Sequence, residues 1–310
     1  MAVIEMGMSH AGEIAALAKL AAPDIGVVTN VAPVHLGFFN SVAEIARAKY
    51  ELIESLTPRG VAVLNADDEY VSQFGRDFKG KVVTYGIARP ADVFARNVAD
   101  LGGDGSRFEL GADGELVPVT LPLIGRHNIY NALAAAAVAR ERGISFADVA
   151  RALAMLRPAD KRGQLTKVNG IVVINDCYNS NPKALESMLD ALAAMPAKRR
   201  IAVAGEMLEL GPAAPDLHHA CGRYAAQRKI DVVLGVRGDA QRIVDGARAV
   251  GAEAHFVASP EDAGAWLAQN ARAGDVVLLK ASRGVKLERA LEVWQEAVDA
   301  VGAARERKGK

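Results

Sequence analysis

Along this chain, short runs of β-branched and aliphatic residues alternate with longer stretches in which apolar positions recur every three or four residues. The short runs read as buried strands and the long stretches as amphipathic helices, so the alternation predicts an α/β fold with a mainly parallel sheet. In the first half, residues 2–5, 25–29 and 61–64 read as strands, and residues 12–21 and 42–55 as helices. Residues 81–121 differ: short extended pieces are broken by Gly102-Gly103, Asp104-Gly105 and Asp113-Gly114, pairs that favour antiparallel hairpins. Helices over 128–142 and 146–156 follow. The pattern stops at Arg157-Pro158 and the charged stretch Asp160-Lys161-Arg162-Gly163, then restarts. Strands at 171–175, 200–204, 231–234, 253–257 and 275–279, separated by helices of ordinary length, predict an open, doubly wound second domain. The expected division is 1–160 and 161–310, with a frayed tail after Ala300. A buried strand starting directly at Met1, with no turn or cap before it, predicts that further sequence precedes it.

Composition narrows the class. A length of 310 residues suits two domains, and a hydrophobic fraction of 51% with 24% charged residues is ordinary for packed globular cores. Lysine plus arginine equal aspartate plus glutamate at 37 each, which argues against a nucleic-acid or anionic-membrane partner. The two cysteines, Cys177 and Cys221, form no CxxC pair, as expected in a reducing compartment. Glu5 interrupts any signal-peptide core, and the alanine-rich apolar run 132–139 is too short to span a bilayer. The expectation is a cytoplasmic monomer.

Several polar constellations carry candidate chemistry. Gly75 to Lys81 fits the GxxxxGK phosphate-loop pattern, but Val82 stands where a magnesium-ligating hydroxyl belongs and a β-rich segment follows where a helix should. A plain turn accounts for it better. Glu5 and His35 each follow an expected strand and Lys49 lies on the next helix, so all three side chains are candidates for one magnesium site at the strand ends. Asn128 and Asn131, three apart at a helix start, are placed either to face one ligand or to serve as a cap and a solvated neighbour. Asn175-Asp176-Cys177-Tyr178-Asn179-Ser180-Asn181-Pro182 puts many polar groups at one strand-to-helix turn, which suits a ligand and also suits turn chemistry. Lys280 and Arg283 end a strand, where cations meet substrate carboxylates. For His218 and His219 the residues by themselves give a helix surface.

Taken in order, these segments resemble the Mur ligase family over almost the whole chain, from Glu5 to about Glu288. The segment from Glu5 to Ile14, Asn30 to Phe38 with His35 and Leu36, and Ala46-Arg47-Ala48-Lys49-Tyr50-Glu51 look like the opening, the Asn-x-x-x-x-His-Leu stretch and the carbamylated-lysine stretch of its central domain. Asp176, Tyr178, Asn179, Asn181 and Pro182 match the Asp-Asp-Ser-Tyr-Asn-Ala-Asn-Pro signature of the members that add D-alanyl-D-alanine, with departures at Asn175, Cys177 and Ser180. Glu206-Met207-Leu208-Glu209-Leu210-Gly211, then His218 and Gly222, resembles another run of that subgroup, with Glu206 for aspartate. The resemblance implies an ATP-dependent amide ligase that joins D-alanyl-D-alanine to UDP-N-acetylmuramoyl-tripeptide through an acyl phosphate. It further implies Mg²⁺ on Glu5, His35 and a carbamylated Lys49. Asn128, Asn131, Arg162 and Asp176 would serve the nucleotide, and Asn179, Asn181, Lys280 and Arg283 the amine substrate. The family's N-terminal domain and phosphate loop are not matched, so 1–160 corresponds to a central domain without its loop and 161–310 to a C-terminal domain. Two other readings stay open: a different ligase of the superfamily, such as a folylpolyglutamate synthase, and a non-catalytic remnant or binding partner.

Overall fold

A computed structural model describes every residue except His35, Gly309 and Lys310. It divides into two compact units, Met1–Arg157 and Pro158–Lys310.

In the first unit, helix α1 (Glu13–Ala21), strand β1 (Ile25–Val28), helix α2 (Val42–Glu54) and strand β2 (Val61–Asn65) are followed by β3 (Lys81–Gly86), β4 (Val93–Asp100), β5 (Ser106–Ala112) and β6 (Glu115–Leu121). Helices α3 (Arg126–Glu141) and α4 (Phe146–Ala154) complete it. The strands lie side by side in chain order, β1 to β4 parallel and β4 to β6 antiparallel. Asp113-Gly114 makes the β5–β6 hairpin: Ala112 pairs with Glu115, and both turn residues have positive φ, 48° and 84°. On one face, Val63, Val83, Tyr85 and Leu110 pack with Leu133 and Ala137 of α3. The alanine run of α3 is therefore a core face, its small side chains allowing the helix to lie close to the sheet. On the other face, Leu64, Val71 and Phe74 pack with Ile53 of α2.

Two expectations change here. Residues 2–5 form no strand; Met1, Val3 and Ile4 are 89%, 88% and 60% exposed. An apolar run becomes a strand only beside a partner that takes its backbone hydrogen bonds, and β1 has none on its outer side among the described residues. Helix α3 starts at Arg126 and not at 128, because Gly125, with φ 90° and ψ 139°, ends the preceding segment and serves as N-cap.

The second unit runs β7 (Gln164–Val168), β8 (Ile171–Asp176), α5 (Pro182–Ala194), β9 (Arg199–Gly205), α6 (Ala214–Gln227), β10 (Val232–Val236), α7 (Ala240–Arg248), β11 (Glu253–Val257), α8 (Pro260–Asn270), β12 (Asp275–Lys280) and α9 (Glu288–Lys308). Its sheet has the order β11-β10-β9-β12-β8-β7, parallel except for the β7–β8 hairpin. Strand β7 escapes the hydrophobic pattern, yet Asn169-Gly170, with φ 47° and 79°, is a hairpin turn visible in the sequence. Helix α9 runs to Lys308. Helices α5, α6 and α7 pack beside one another, and α8 packs on α9. The chain thus leaves β9 and β12 toward opposite groups of helices, the arrangement that opens a crevice at the carboxyl ends of adjacent parallel strands. Gly205 at the end of β9 makes room there, since a Cβ at that position would lie 2.5 Å from the Cβ of Ala281.

Candidate functional site

In the first unit the polar residues gather where β1, β2 and β3 end. Lys49, on α2, is half-buried, and its Nζ donates to the Asn30 carbonyl at 2.7 Å. Burial pushes its amine below the usual lysine value, with the nearby Asp68 carboxylate pulling the other way. Asp68 is itself occupied. Its Oδ2 accepts from the Val31 amide at 2.9 Å and its Oδ1 from the amides of Tyr70 and Val71 at 3.1 and 2.9 Å. Asn65 donates to the Thr29 carbonyl at 2.8 Å, and the buried Tyr85 hydroxyl reaches the same oxygen at 3.4 Å. The exit of β1 is therefore tied from two neighbouring strands on both sides of the carbonyl that holds Lys49. Glu5 lies exposed in the irregular first segment, and His35 lies outside the described residues. Among the described residues no three His, Cys, Asp or Glu side chains converge as a metal site.

Asn128 and Asn131 do meet. Asn131 Nδ2 donates to Asn128 Oδ1 at 3.3 Å, and Asn128 Nδ2 donates to the Ile124 carbonyl at 2.8 Å. Asn128 thus sits inside the first turn of α3 and is not its cap. Between them in sequence, the Tyr130 hydroxyl donates to Asp67 Oδ2 at 2.9 Å. Asp67 also accepts from three successive amides, Ile87 at 2.6 Å, Ala88 at 2.9 Å and Arg89 at 2.7 Å. Burial pushes its carboxyl upward, but these four donors hold it below the usual carboxylate value.

The stretch from Gly75 to Lys81 has none of this character. Lys81 begins β3 and pairs with Glu141 at 2.8 Å, and a Cβ on Gly80 would come within 2.5 Å of the Gly60 carbonyl. No helix N-terminus follows it, so no amides are aimed at a phosphate.

In the second unit, Asp176 ends β8 and Lys280 ends β12 as register partners, with 2.5 Å between Lys280 Nζ and Asp176 Oδ2. Lys280 is only 4% exposed and also donates to the Asn179 carbonyl at 3.0 Å. It holds the 177–181 loop and does not reach outward. Asn179 is exposed, and its Oδ1 accepts from the Ser180 amide at 2.8 Å; Asn181 caps α5, its Oδ1 accepting from the Ala184 amide at 2.9 Å. Arg162 lies with its guanidinium 3.9 Å from the centre of the Tyr178 ring, both groups exposed. Arg283 Nη1 donates to Glu288 Oε1 at 2.5 Å, and Lys161 Nζ stands 3.6 Å from the same oxygen.

His218 corrects its expectation. It is fully buried, its Nε2 accepts from the Met207 amide at 2.9 Å, and its Nδ1 faces the Ala214 carbonyl at 2.7 Å. It clamps the loop after β9 to the start of α6, and burial lowers its pKa. His219, half-buried, lies closer to the expected helix surface. Glu206 Oε1 accepts from the Asp239 amide at 3.1 Å, while Arg237, at φ 67°, stands 3.7 Å from Glu206 Oε2.

Sequence reasoning passed over Asn65, Asp67, Asp68, Tyr130, Lys161 and Glu288. A signal existed for the first three: Asn65-Ala66-Asp67-Asp68 is a dense polar turn straight after an apolar strand, at the end of a parallel sheet where ligands collect.

With this geometry in hand, comparison with known proteins is informative. The Mur ligase middle domain matches residues 1–139, and the Mur ligase glutamate ligase domain matches residues 161–283. A UDP-N-acetylmuramoyl-tripeptide–D-alanyl-D-alanine ligase of Mycobacterium bovis is 38% identical over 92% of this chain and 60% of its own length. Its Bacillus subtilis counterpart is 32% identical over 93% and 63% respectively. The chain thus spans about three-fifths of the length of these relatives. The crystal structure of MurF from Acinetobacter baumannii superposes with a TM-score of 0.87 at 27% identity, covering 95% of this chain and 64% of that one. MurF from Thermotoga maritima in complex with ADP superposes with a TM-score of 0.84 at 28% identity, covering 96% and 67%. Two domain matches in family order, on two α/β units that superpose on these ligases, mean that the chain belongs to the Mur ligase family.

Proposed function

We propose that this chain forms the ATP-using and amine-adding part of a ligase that joins D-alanyl-D-alanine to UDP-N-acetylmuramoyl-tripeptide in peptidoglycan precursor synthesis, acting as a monomer in the cytoplasm. The observation that carries the reading is Lys49, half-buried at the strand ends with its amine shifted toward the neutral form. Only a neutral amine adds to CO₂, and the resulting carbamate turns a cation into an anionic oxygen donor. That chemistry suits a hard divalent cation, for which Glu5, His35 and carbamylated Lys49 would be the ligands. Bound Mg²⁺ would neutralise charge on the transferring phosphoryl group.

The γ-phosphoryl group passes from ATP to the tripeptide's terminal carboxylate, leaving ADP and an acyl phosphate. The neutral amine of the dipeptide then attacks the carbonyl carbon, the C–O bond to phosphate breaks, and the nitrogen loses its proton as the amide forms. Asn128 and Asn131 offer paired donors and acceptors to the adenine base. Arg162, backed by Tyr178, is the cation for the phosphates, and Asp176 with Lys280 keeps the 177–181 loop in place. Asn179, Asn181 and Arg283 serve the dipeptide, with Lys280 acting from beneath through the Asn179 carbonyl.

The test is a chimera in which residues 1–310 replace the matching part of the Bacillus subtilis ligase. It is expected to form the amide with D-alanyl-D-alanine and not with glutamate or diaminopimelate; the reverse preference overturns the assignment. Lys49→Ala in that chimera should abolish turnover without rescue by bicarbonate, and wild-type activity there would remove the carbamate from the scheme. Residues 1–310 alone should show no dipeptide-dependent phosphate release. Losing one preorganised donor costs on the order of 10²–10³ in rate, and the GxxxxGK stretch Gly75–Lys81 runs into strand β3 and not into a helix whose amides could face phosphates. Robust turnover by residues 1–310 alone would refute that expectation.

A further inference from the structure

The polar turn at the end of β2 has no part in the chemistry above, yet its residues are bonded outward in three directions. Asn65 and Asp68 hold Thr29 and Val31 on the β1 side. Asp67 holds Ile87, Ala88 and Arg89 on the β3 side and Tyr130 on α3. A carboxylate offers about four acceptor positions; three donors converge on Oδ2 of Asp67 and one meets Oδ1. These four bonds, to the β3 exit and to α3, give it a mechanical role. The β3 exit also packs closely on it: a Cβ on Gly86 would lie 3.2 Å from Asp67 Oδ2, so a side chain there would press on the carboxylate.

Gly125 supplies no side-chain cap to helix α3, so nothing of that kind fixes the first turn, which carries Asn128. The bond from Tyr130 to Asp67 ties that end of the helix to the sheet. The Tyr130 hydroxyl is pushed up to about 12, first by burial and then by Asp67, and so stays a donor throughout the physiological range.

We propose that Asp67 and Tyr130 form a clamp that positions the first turns of α3, and with them Asn128 and Asn131, for the nucleotide base. The clamp rests on the nucleotide-site reading above and adds two positioning residues to it.

The test uses the 310-residue chain, ADP as probe, and two variants. Tyr130→Phe removes one hydrogen bond to a charged acceptor and keeps the ring; Asp67→Asn turns an amide donor toward donors. Calorimetry should show ADP binding weakened about tenfold in Tyr130→Phe and further in Asp67→Asn, since a bond to a charged group is worth roughly that factor or more. Hydrogen exchange without nucleotide should show faster opening of the first turns of α3 in both variants, and of Ile87 to Arg89 in Asp67→Asn alone. Unchanged exchange at α3 in both variants overturns the clamp, whatever ADP does. A lowered melting temperature with unchanged ADP affinity also overturns it, because that is the mark of a purely structural bond. If the wild-type chain binds no ADP while α3 opens in both variants, the clamp on the helix stands and the nucleotide reading fails.

Discussion

Burial favours the neutral form at two ionisable residues of this chain, with different consequences. At Lys49 it favours the neutral amine at the edge of a strand end, where chemistry can reach it. At His218 it keeps a neutral ring inside the fold, where Nε2 must stay an unprotonated acceptor for the Met207 amide. The sign of the resulting pH dependence follows. The folded-state pKa of His218 lies below its ordinary value of 6.5, so its contribution to stability is complete above about that pH. As pH falls below it, the unfolded chain binds a proton that the folded chain refuses, and stability drops by at most about 1.4 kcal/mol per pH unit. Melting temperatures between pH 5 and 8 should show this slope in the wild type and a flatter one in His218→Gln, which should also be less stable at pH 8. An identical slope in both proteins would assign the effect elsewhere. The sequence displayed His218 as one of two adjacent histidines on a helix, and nothing local distinguishes the buried one. Lys280 was likewise legible as a cation at a strand end; its pairing with Asp176, 104 positions away, is not written in either neighbourhood.

At the scale of elements, spacing and turn residues carried most of the information. Asp113-Gly114 and Asn169-Gly170 specify hairpins because both of their positions must take positive φ. Ser41, Ser145, Asn181 and Ser259 accept an amide from the first turn of α2, α4, α5 and α8, giving sharp helix starts. Strand formation over residues 2–5 failed because hydrophobicity is local and pairing is not. The same gap appears between α6 and α7. A Cβ on Gly222 would lie 1.9 Å from the Ile243 carbonyl oxygen, and one on Gly246 would lie 2.0 Å from that of His219. Inside an isolated helix, glycine only costs stability; here two of them allow two backbones to touch. Gly222→Ala, normally helix-stabilising, should therefore destabilise the protein by about 1–3 kcal/mol or more in denaturant titration. An unchanged or higher midpoint would show that the two helices can separate freely.

For the whole molecule, the second unit holds a core of its own, in which Val173, Val203, Val232 and Leu279 pack with Leu267 and Trp294. Its sheet is complete within Pro158–Lys310. We expect residues 158–310, produced alone, to give native-like circular dichroism and one cooperative unfolding transition; a gradual, non-cooperative loss of signal would contradict this. Among the described residues no helix is long and apolar enough to cross a membrane. Periodicity, turn pairs and the order of motifs determined the α/β class, the bounds of most of the parallel strands and of the first unit's helices, and the family, because each depends on residues close together in the chain. The tertiary structure alone decided which polar residues meet. The turn after β2 joins the Lys49 side to the Asn128 side through bonds spanning 36 to 63 positions, and no local pattern encodes a partner at that distance.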